Sequence, residues 1–153
     1  VLGDAGQRPV TRLPATFGDA IELTGFTLAG TATVQPGETL TVTLFYRTGD
    51  AITADYTRFL QLHSPALGMA AQSDAQPQDG ANPTSTWRKG EVIVETVALP
   101  IAADAAPGAY RLLLGFYDAA DGTRLPARDR HGASLPDDAV PLLDVTVATP
   151  PGD

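Results

Sequence analysis

The sequence predicts an all-β fold, a two-sheet antiparallel β-sandwich of seven to nine strands, immunoglobulin/fibronectin III-like or jelly-roll-like. Three observations carry this. In Pro107 to Pro126 (PGAYRLLLGFYDAADGTRLP), Tyr110, Leu112, Leu114 and Phe116 fall on every second residue, the period of a strand with one face buried. In Thr39 to Thr48 (TLTVTLFYRT), Leu40, Val42, Leu44 and Tyr46 alternate with Thr39, Thr41, Thr43, Phe45 and Arg47. The third is composition: 15 Gly and 13 Pro in 153 residues, with Asp outnumbering Glu fourteen to four. Gly, Pro and Asp form turns and are weak in helices. No stretch keeps the i, i+3, i+4, i+7 apolar pattern of a useful helix.

Residues 1–16 are polar, with Pro9 and Pro14, and read as a lead-in segment that adds an edge strand near Val10 to Leu13. The sandwich is expected over 17–148 and a tail over 149–153. Ile21 to Leu28 alternates Ile21 and Leu23 against Glu22 and Thr24, and Gly25 interrupts the pattern as a bulge does. Thr31 to Val34 is a short strand, and Pro36-Gly37 is a turn. Tyr56 to Ser64 turns Leu60 and Leu62 inward and Gln61 and His63 outward, with Met69 to Gln72 as its hairpin partner. A long loop follows over 73–88. Glu91 to Leu99 has apolar residues on both faces and reads as a central strand, with Val92 and Val94 in the core. Pro100 to Pro107 carries the chain to the other sheet. Asp118 to Gly122 is a turn, after which Thr123 to Leu125 starts a return strand paired with Tyr110 to Phe116. Residues 127–138 are a polar loop, and Val140 to Val147 closes the fold. The expected core is Leu40, Val42, Leu44, Leu60, Leu62, Val92, Val94, Tyr110, Leu112, Leu114 and Phe116.

The chain has the length of one ordinary domain. A formal net charge of −8 argues against nucleic acid as a partner and against an anionic membrane surface, because both attract basic patches. The absence of cysteine excludes disulfides, thiolate metal sites and a Cys nucleophile. No run approaches the ~20 apolar residues of a membrane span. The chain starts at Val1 with no signal-peptide pattern, and the expected reading is a piece of a larger protein.

Four segments in order, FGDAIELTGFTL, PGETLTVTLFYRT, DYTRFLQLHS and PTSTWRKGEVIVETVALP, followed by the Tyr110 strand, carry a resemblance. Together they resemble the C-terminal extracytoplasmic β-sandwich domain of bacterial multi-spanning membrane glycosyltransferases that use polyprenyl-phosphate sugars. The likeness covers about residues 17 to 147. A weaker resemblance links the same strand order to glycan-binding sandwich domains of O-antigen export ATPases. The first resemblance implies a non-catalytic accessory domain, because that family's catalytic residues lie in its membrane part. It further implies an extracytoplasmic location tethered to the cell membrane. The expected partners are the membrane part of the parent protein and a polysaccharide or lipid-linked glycan. An autonomous carbohydrate-binding module and a ligand-free structural sandwich are the alternatives.

No constellation of residues looks built for catalysis. There is no G-x-S-x-G, and Ser64 beside His63 points to the opposite strand face. His63 and His131 are isolated, whereas a zinc site takes three or four ligands. Three Asp pairs, Asp118 with Asp121, Asp137 with Asp138 and Asp74 with Asp79, lack the ligand spacing of a calcium loop; Asp in a turn usually bonds its own backbone. No metal or cofactor is expected. Trp87, the only tryptophan, is either a packing residue at the end of the core, the favoured reading, or a glycan contact whose ring stacks on a sugar. The outward row Thr39, Thr41 and Thr43 is a solvated face or a flat glycan-contacting one.

Overall fold

The alternations of the fourth and eighth strands decide which residues meet between the sheets. The computed structural model describes residues 10–78 and 80–149. Ten strands run in order: β1 (Thr11–Phe17), β2 (Ile21–Ala29), β3 (Thr33–Val34), β4 (Thr39–Thr48), β5 (Thr57–Ser64), β6 (Gly68–Ala75), β7 (Val92–Pro100), β8 (Gly108–Tyr117), β9 (Ala127–Asp129) and β10 (Val140–Val147). They form two five-stranded sheets, β7-β4-β2-β1-β9 and β3-β10-β8-β5-β6. Among the described residues, only the β3–β10 pair is parallel. The count exceeds the expected seven to nine, and the short β9 lies within residues 127–138, expected as a polar loop.

Leu40, Val42, Leu44, Leu60, Leu62, Tyr110, Leu112, Leu114 and Phe116 are all buried between the sheets, as their alternation predicts. Each fully buried side chain of this size contributes about 1.5–3 kcal/mol. Phe17, Phe116, Tyr46 and Trp87 form a chain of rings through the core, with successive centroids 5.0, 5.6 and 5.6 Å apart. The β2–β4 register shifts between Leu23 and Gly25. This bulge changes the facing parity and lets Phe26 turn inward beside Ile21 and Leu23. At Pro36-Gly37, Glu38 N donates to Gln35 O at 3.0 Å and Gly37 has φ +86°, the backbone a type II turn requires at its third residue.

Four expectations are corrected. The boundary at residue 17 falls at the end of β1: Thr11 and Arg12 pair with β2 alone, as an edge segment does, while Ala15 to Phe17 pair with β2 on one side and β9 on the other. A register shift between Arg12 and Ala15 accommodates Pro14, which has no amide hydrogen for a ladder. Residues 1–9 of the lead-in lie outside the described residues, as do 150–153 of the tail. Second, Glu91 to Leu99 is not central: β7 is the edge of the first sheet. Its inward residues are Ile93, Glu95, Val97 and Leu99, while Val92 is 45% exposed; Val94 is buried, but on the outer face. With apolar residues at both parities, the pattern does not reveal which set faces in.

Third, Thr123 to Leu125 starts back beside the end of β8, with Asp118 N donating to Thr123 O and Leu125 N to Phe116 O, both at 2.8 Å, but does not extend into a strand. A single bridge joins Tyr117 to Arg124. Pro126 then ends any ladder, its carbonyl accepts from Gly18 N at 2.8 Å, and the chain crosses to the first sheet as β9. β8 lies instead between β5 and β10. Fourth, β6 runs to Ala75, so the loop expected from residue 73 starts later.

Gly115 permits a close approach. It is the cross-strand partner of Phe59 on the outer face of the second sheet, and the Phe59 ring lies directly over it. A Cβ at Gly115 would collide with Phe59 Cζ and Cε2 and lie 3.0 Å from Asp138 O. Gly115→Ala is therefore expected to destabilise by about 1–3 kcal/mol, as overpacking does. Thermal melting checks this: the loss should shrink when Phe59→Leu is added.

Candidate functional site

The second sheet presents its outer face across three adjacent strands, and register sets what stands in each row. His63, Arg111 and Asp144 are cross-strand partners through β5, β8 and β10. One row along are Gln61, Leu113 and Pro141, and beyond them Phe59 and Gly115. Arg111 Nε donates to Asp144 Oδ1 at 3.1 Å, with the two side chains 59% and 73% exposed. So exposed a pair adds only about 0–1 kcal/mol to stability, and its polar atoms remain open to a ligand.

This surface is concave. A groove of about 590 Å³ runs over it, with Leu113, Pro141 and Ala109 contributing apolar surface and His63, Arg111, Asp137 and Asp144 polar groups. That volume lies in the range of small-molecule sites, roughly 300–1,000 Å³. The turn Pro136–Asp138 forms one rim. Asp137 and Asp138 there have φ of 56° and 49°, a left-handed backbone that Asp adopts more readily than most residues. Arg124 braces this rim: its guanidinium lies 4.2 Å from the centre of the Phe59 ring, and its Nη1 donates to Asp137 O at 2.8 Å. Two smaller grooves, of about 390 and 420 Å³, lie beside β1 and β9 and at the Gly18 end of the sandwich.

Trp87 stands elsewhere. It is 3% exposed, its ring lies 5.6 Å from Tyr46, and its Nε1 donates to Asn82 O at 3.0 Å. A ring so enclosed offers no face to a sugar in this conformation. The row Thr39, Thr41 and Thr43 lies on the outer face of the first sheet, where the Thr43 hydroxyl is 3.0 Å from that of Thr96. His63 and Ser64 point to opposite faces, and Ser64 Oγ accepts from the amides of Ala66 and Leu67. His131 lies on the β9 loop, far from His63 in the fold order.

Asp118 and Asp121 serve their own turn, whereas Asp138 and Asp74 bond other segments. Asp118 Oδ1 accepts from Ala120 N, Asp121 Oδ1 from Thr123 N and Asp138 Oδ1 from Ala127 N. The Thr123 amide holds the Asp121 carboxyl below its ordinary value, and the Ala133 and His131 amides do the same for Asp129. Asp74 accepts from Gln72 and from the Tyr117 hydroxyl, which its carboxylate pushes above the usual tyrosine value. Asp79 lies outside the described residues. Among the described residues, no three His, Asp or Glu side chains gather as a metal site, and no helix is long and apolar enough to cross a membrane.

The sequence reading missed a buried ionic centre between the sheets. Arg58 on β5 and Glu95 on β7 are each 1% exposed and meet at 3.0 Å, Nη2 to Oε2. Glu95 also accepts from the Tyr46 hydroxyl at 3.2 Å and from Gln78 N at 2.9 Å, while Arg58 Nη1 donates to Ser73 O at 2.9 Å. Burial, and after it the Glu95 carboxylate, push the Tyr46 phenol well above its ordinary value, with Arg58 opposing. Gln78 Nε2 donates to Val94 O at 2.7 Å and so caps part of the free edge of β7. The signal was parity: Arg58 shares it with Leu60 and Leu62, and Glu95 with Ile93, Val97 and Leu99. This centre is enclosed, whereas an acid or base must reach hydrogen-bond distance of its substrate.

No family model matches the sequence, and no curated protein matches it. Among solved structures, the chain is similar to the C-terminal domain of wzt, with a TM-score of 0.58 and 11% identity over 97% of this chain and 87% of that one. A putative ApaA protein from Bordetella pertussis aligns with a TM-score of 0.34 and 12% identity over 93% of this chain and 98% of that one, too distant a match to carry an argument. At 11% identity the first likeness shows the fold alone: the chain shares its β-sandwich architecture with the C-terminal domain of wzt.

Proposed function

We propose that this chain is a non-catalytic accessory domain that holds a glycan in the groove on the outer face of its second sheet. The observation that carries the reading is that groove, in which exposed polar groups of Arg111 and Asp144 stand beside the aliphatic surface of Leu113 and Pro141. Sugars present both hydroxyls and apolar C–H faces, so such a lining suits them. The shared fold with the C-terminal domain of wzt, and the sequence resemblance to glycan-binding sandwich domains of export ATPases, support the same reading by analogy. The parent protein is, on the first resemblance, a membrane-bound glycosyltransferase or related envelope protein, with this domain extracytoplasmic and facing its membrane part.

An autonomous module that stacks sugars on exposed aromatic rings fits less well. Of the ten aromatic residues, Tyr56 and Tyr117 are half-buried and the others are buried. The domain is expected to carry out neither glycosyl transfer nor hydrolysis. Turnover of activated glycosides or polyprenyl-phosphate sugars, abolished by replacing Glu95 or Asp118, would overturn that part.

The binding test is titration of the chain with a broad panel of bacterial oligosaccharides, followed by NMR shifts of backbone amides. Binding should move the amides of His63, Arg111, Leu113 and Asp144. Arg111→Ala and Leu113→Asp should weaken it at least tenfold with little change in Tm, since neither side chain belongs to the core. Binding that these variants leave intact would refute the groove as the site.

A further inference from the structure

The groove's charge arrangement points to the class of sugar it takes, and this step rests on the glycan reading above. We infer that it selects neutral glycan segments bearing vicinal hydroxyls, that it discriminates against uronate-containing or sulfated ones, and that the Arg111–Asp144 pair is the element that reads the diol.

The lining includes His63, Arg111, Asp137 and Asp144, and Tyr110, whose hydroxyl donates to Ala106 O. Arg111 is the one guanidinium of the lining, and it already faces a carboxylate, with Nε donating to Asp144 Oδ1. Recognition of a carboxylate or sulfate uses the open fork of an arginine, two parallel N–H groups aimed at two oxygens. Here one N–H of that fork is engaged, and an anion brought to the remaining ones stands beside Asp144. Arg124, the nearest further guanidinium described at this rim, is turned away onto the Phe59 ring and the Asp137 carbonyl. Asp137 adds a second carboxylate to the lining, and the whole chain carries −8, so the wider field also opposes an anion.

A neutral diol meets the opposite situation. Each hydroxyl both donates and accepts. The Nη groups of Arg111 can donate to one oxygen while the Asp144 carboxylate accepts from the neighbouring hydroxyl. Donor and acceptor stand side by side because register makes Arg111 and Asp144 cross-strand partners. Leu113 and Pro141, partners in the adjacent row, lie where the C–H face of the same sugar rests. A ligand lacking one hydroxyl would forfeit one of these two contacts.

The experiment titrates the chain with two matched probe sets: neutral tetrasaccharides of glucose, galactose, mannose and rhamnose, and tetrasaccharides of glucuronate and galacturonate. Backbone amide shifts are followed at 0.15 M salt. At least one neutral probe is expected to move the His63, Arg111, Leu113 and Asp144 amides, with every acidic probe at least tenfold weaker. Asp144→Asn should weaken the neutral probe and strengthen the acidic ones, closing the gap from both sides; a merely structural role for Asp144 would change neither, and Tm verifies that the variant is folded. Acidic probes that bind in the groove as well as or better than neutral ones would overturn the selectivity and leave the glycan reading standing, whereas a neutral probe that binds only on another face would overturn the groove as the site and the selectivity with it. No shift in the groove with any probe would overturn both.

Discussion

Glu95→Ala is expected to lower the stability of the domain by about 3–5 kcal/mol, the usual effect of breaking a buried ion pair from one side. For a chain of this length that corresponds to a fall in Tm on the order of 10 °C. The substitution removes more than one partner: the Arg58 guanidinium loses the carboxylate it meets at 3.0 Å, and the Tyr46 hydroxyl and Gln78 amide lose their acceptor. Each lost acceptor leaves a polar group poorly solvated, at about 1–3 kcal/mol. Glu95→Gln keeps the shape and an acceptor oxygen and should fall between Ala and the parent. The double variant Arg58→Met/Glu95→Leu should recover a large part of the loss, since apolar residues of similar volume often replace a buried pair at no net cost. Thermal and urea unfolding of the set measure the coupling directly. A Glu95→Ala variant within 1 kcal/mol of the parent would show that this centre does not hold the two sheets together.

Trp87→Ala is the second large effect, also about 3–5 kcal/mol, because it truncates an enclosed aromatic side chain. Trp87 ends the ring series that begins at Phe17, and its Nε1 satisfies the carbonyl of Asn82 in the loop before β7. The loop and the core should therefore loosen together. Trp87→Phe keeps most of the ring contact and loses the hydrogen bond, so a smaller loss of about 1 kcal/mol is expected. Calorimetry distinguishes the three proteins. If Trp87→Ala kept its Tm and instead lost glycan binding, the residue would be a recognition residue rather than a packing one.

The two effects are near neighbours in space through Tyr46, which touches the Trp87 ring on one side and hydrogen-bonds Glu95 on the other. Their energies are thus not expected to add, as is usual for residues sharing a partner. Arg111 pairs instead with Asp144, away from this centre. Arg111 and Asp144 project from the opposite face of the second sheet. Variants of the groove should accordingly change binding while stability stays near its parent value.

Alternation was sufficient wherever one parity is apolar and the other polar. Leu40 to Tyr46 and Tyr110 to Phe116 are such runs, and they determined the all-β class, most of the core and the facing of β4 and β8. Gly25 marked its bulge, and Pro36-Gly37 its turn, because each has a backbone requirement that its residues announce locally. In β7 both parities are apolar, so alternation assigns Glu95 to neither face. Only the facing strand β5, bringing Arg58 to the same interior point, makes its inward position favourable. A charge is excluded from a core until its partner arrives from elsewhere in the chain, and that partner lies 37 positions away. The groove is of the same kind: His63, Arg111 and Asp144 are ordinary outward residues on three separate strands, and strand order and register alone set them in one row. Local sequence thus determined which strands form and, where polarity alternates, which way they face. The tertiary structure decided strand neighbours, because sheet pairing is a choice among distant segments that share similar local patterns, and with it decided both the buried ion pair and the surface open to a ligand.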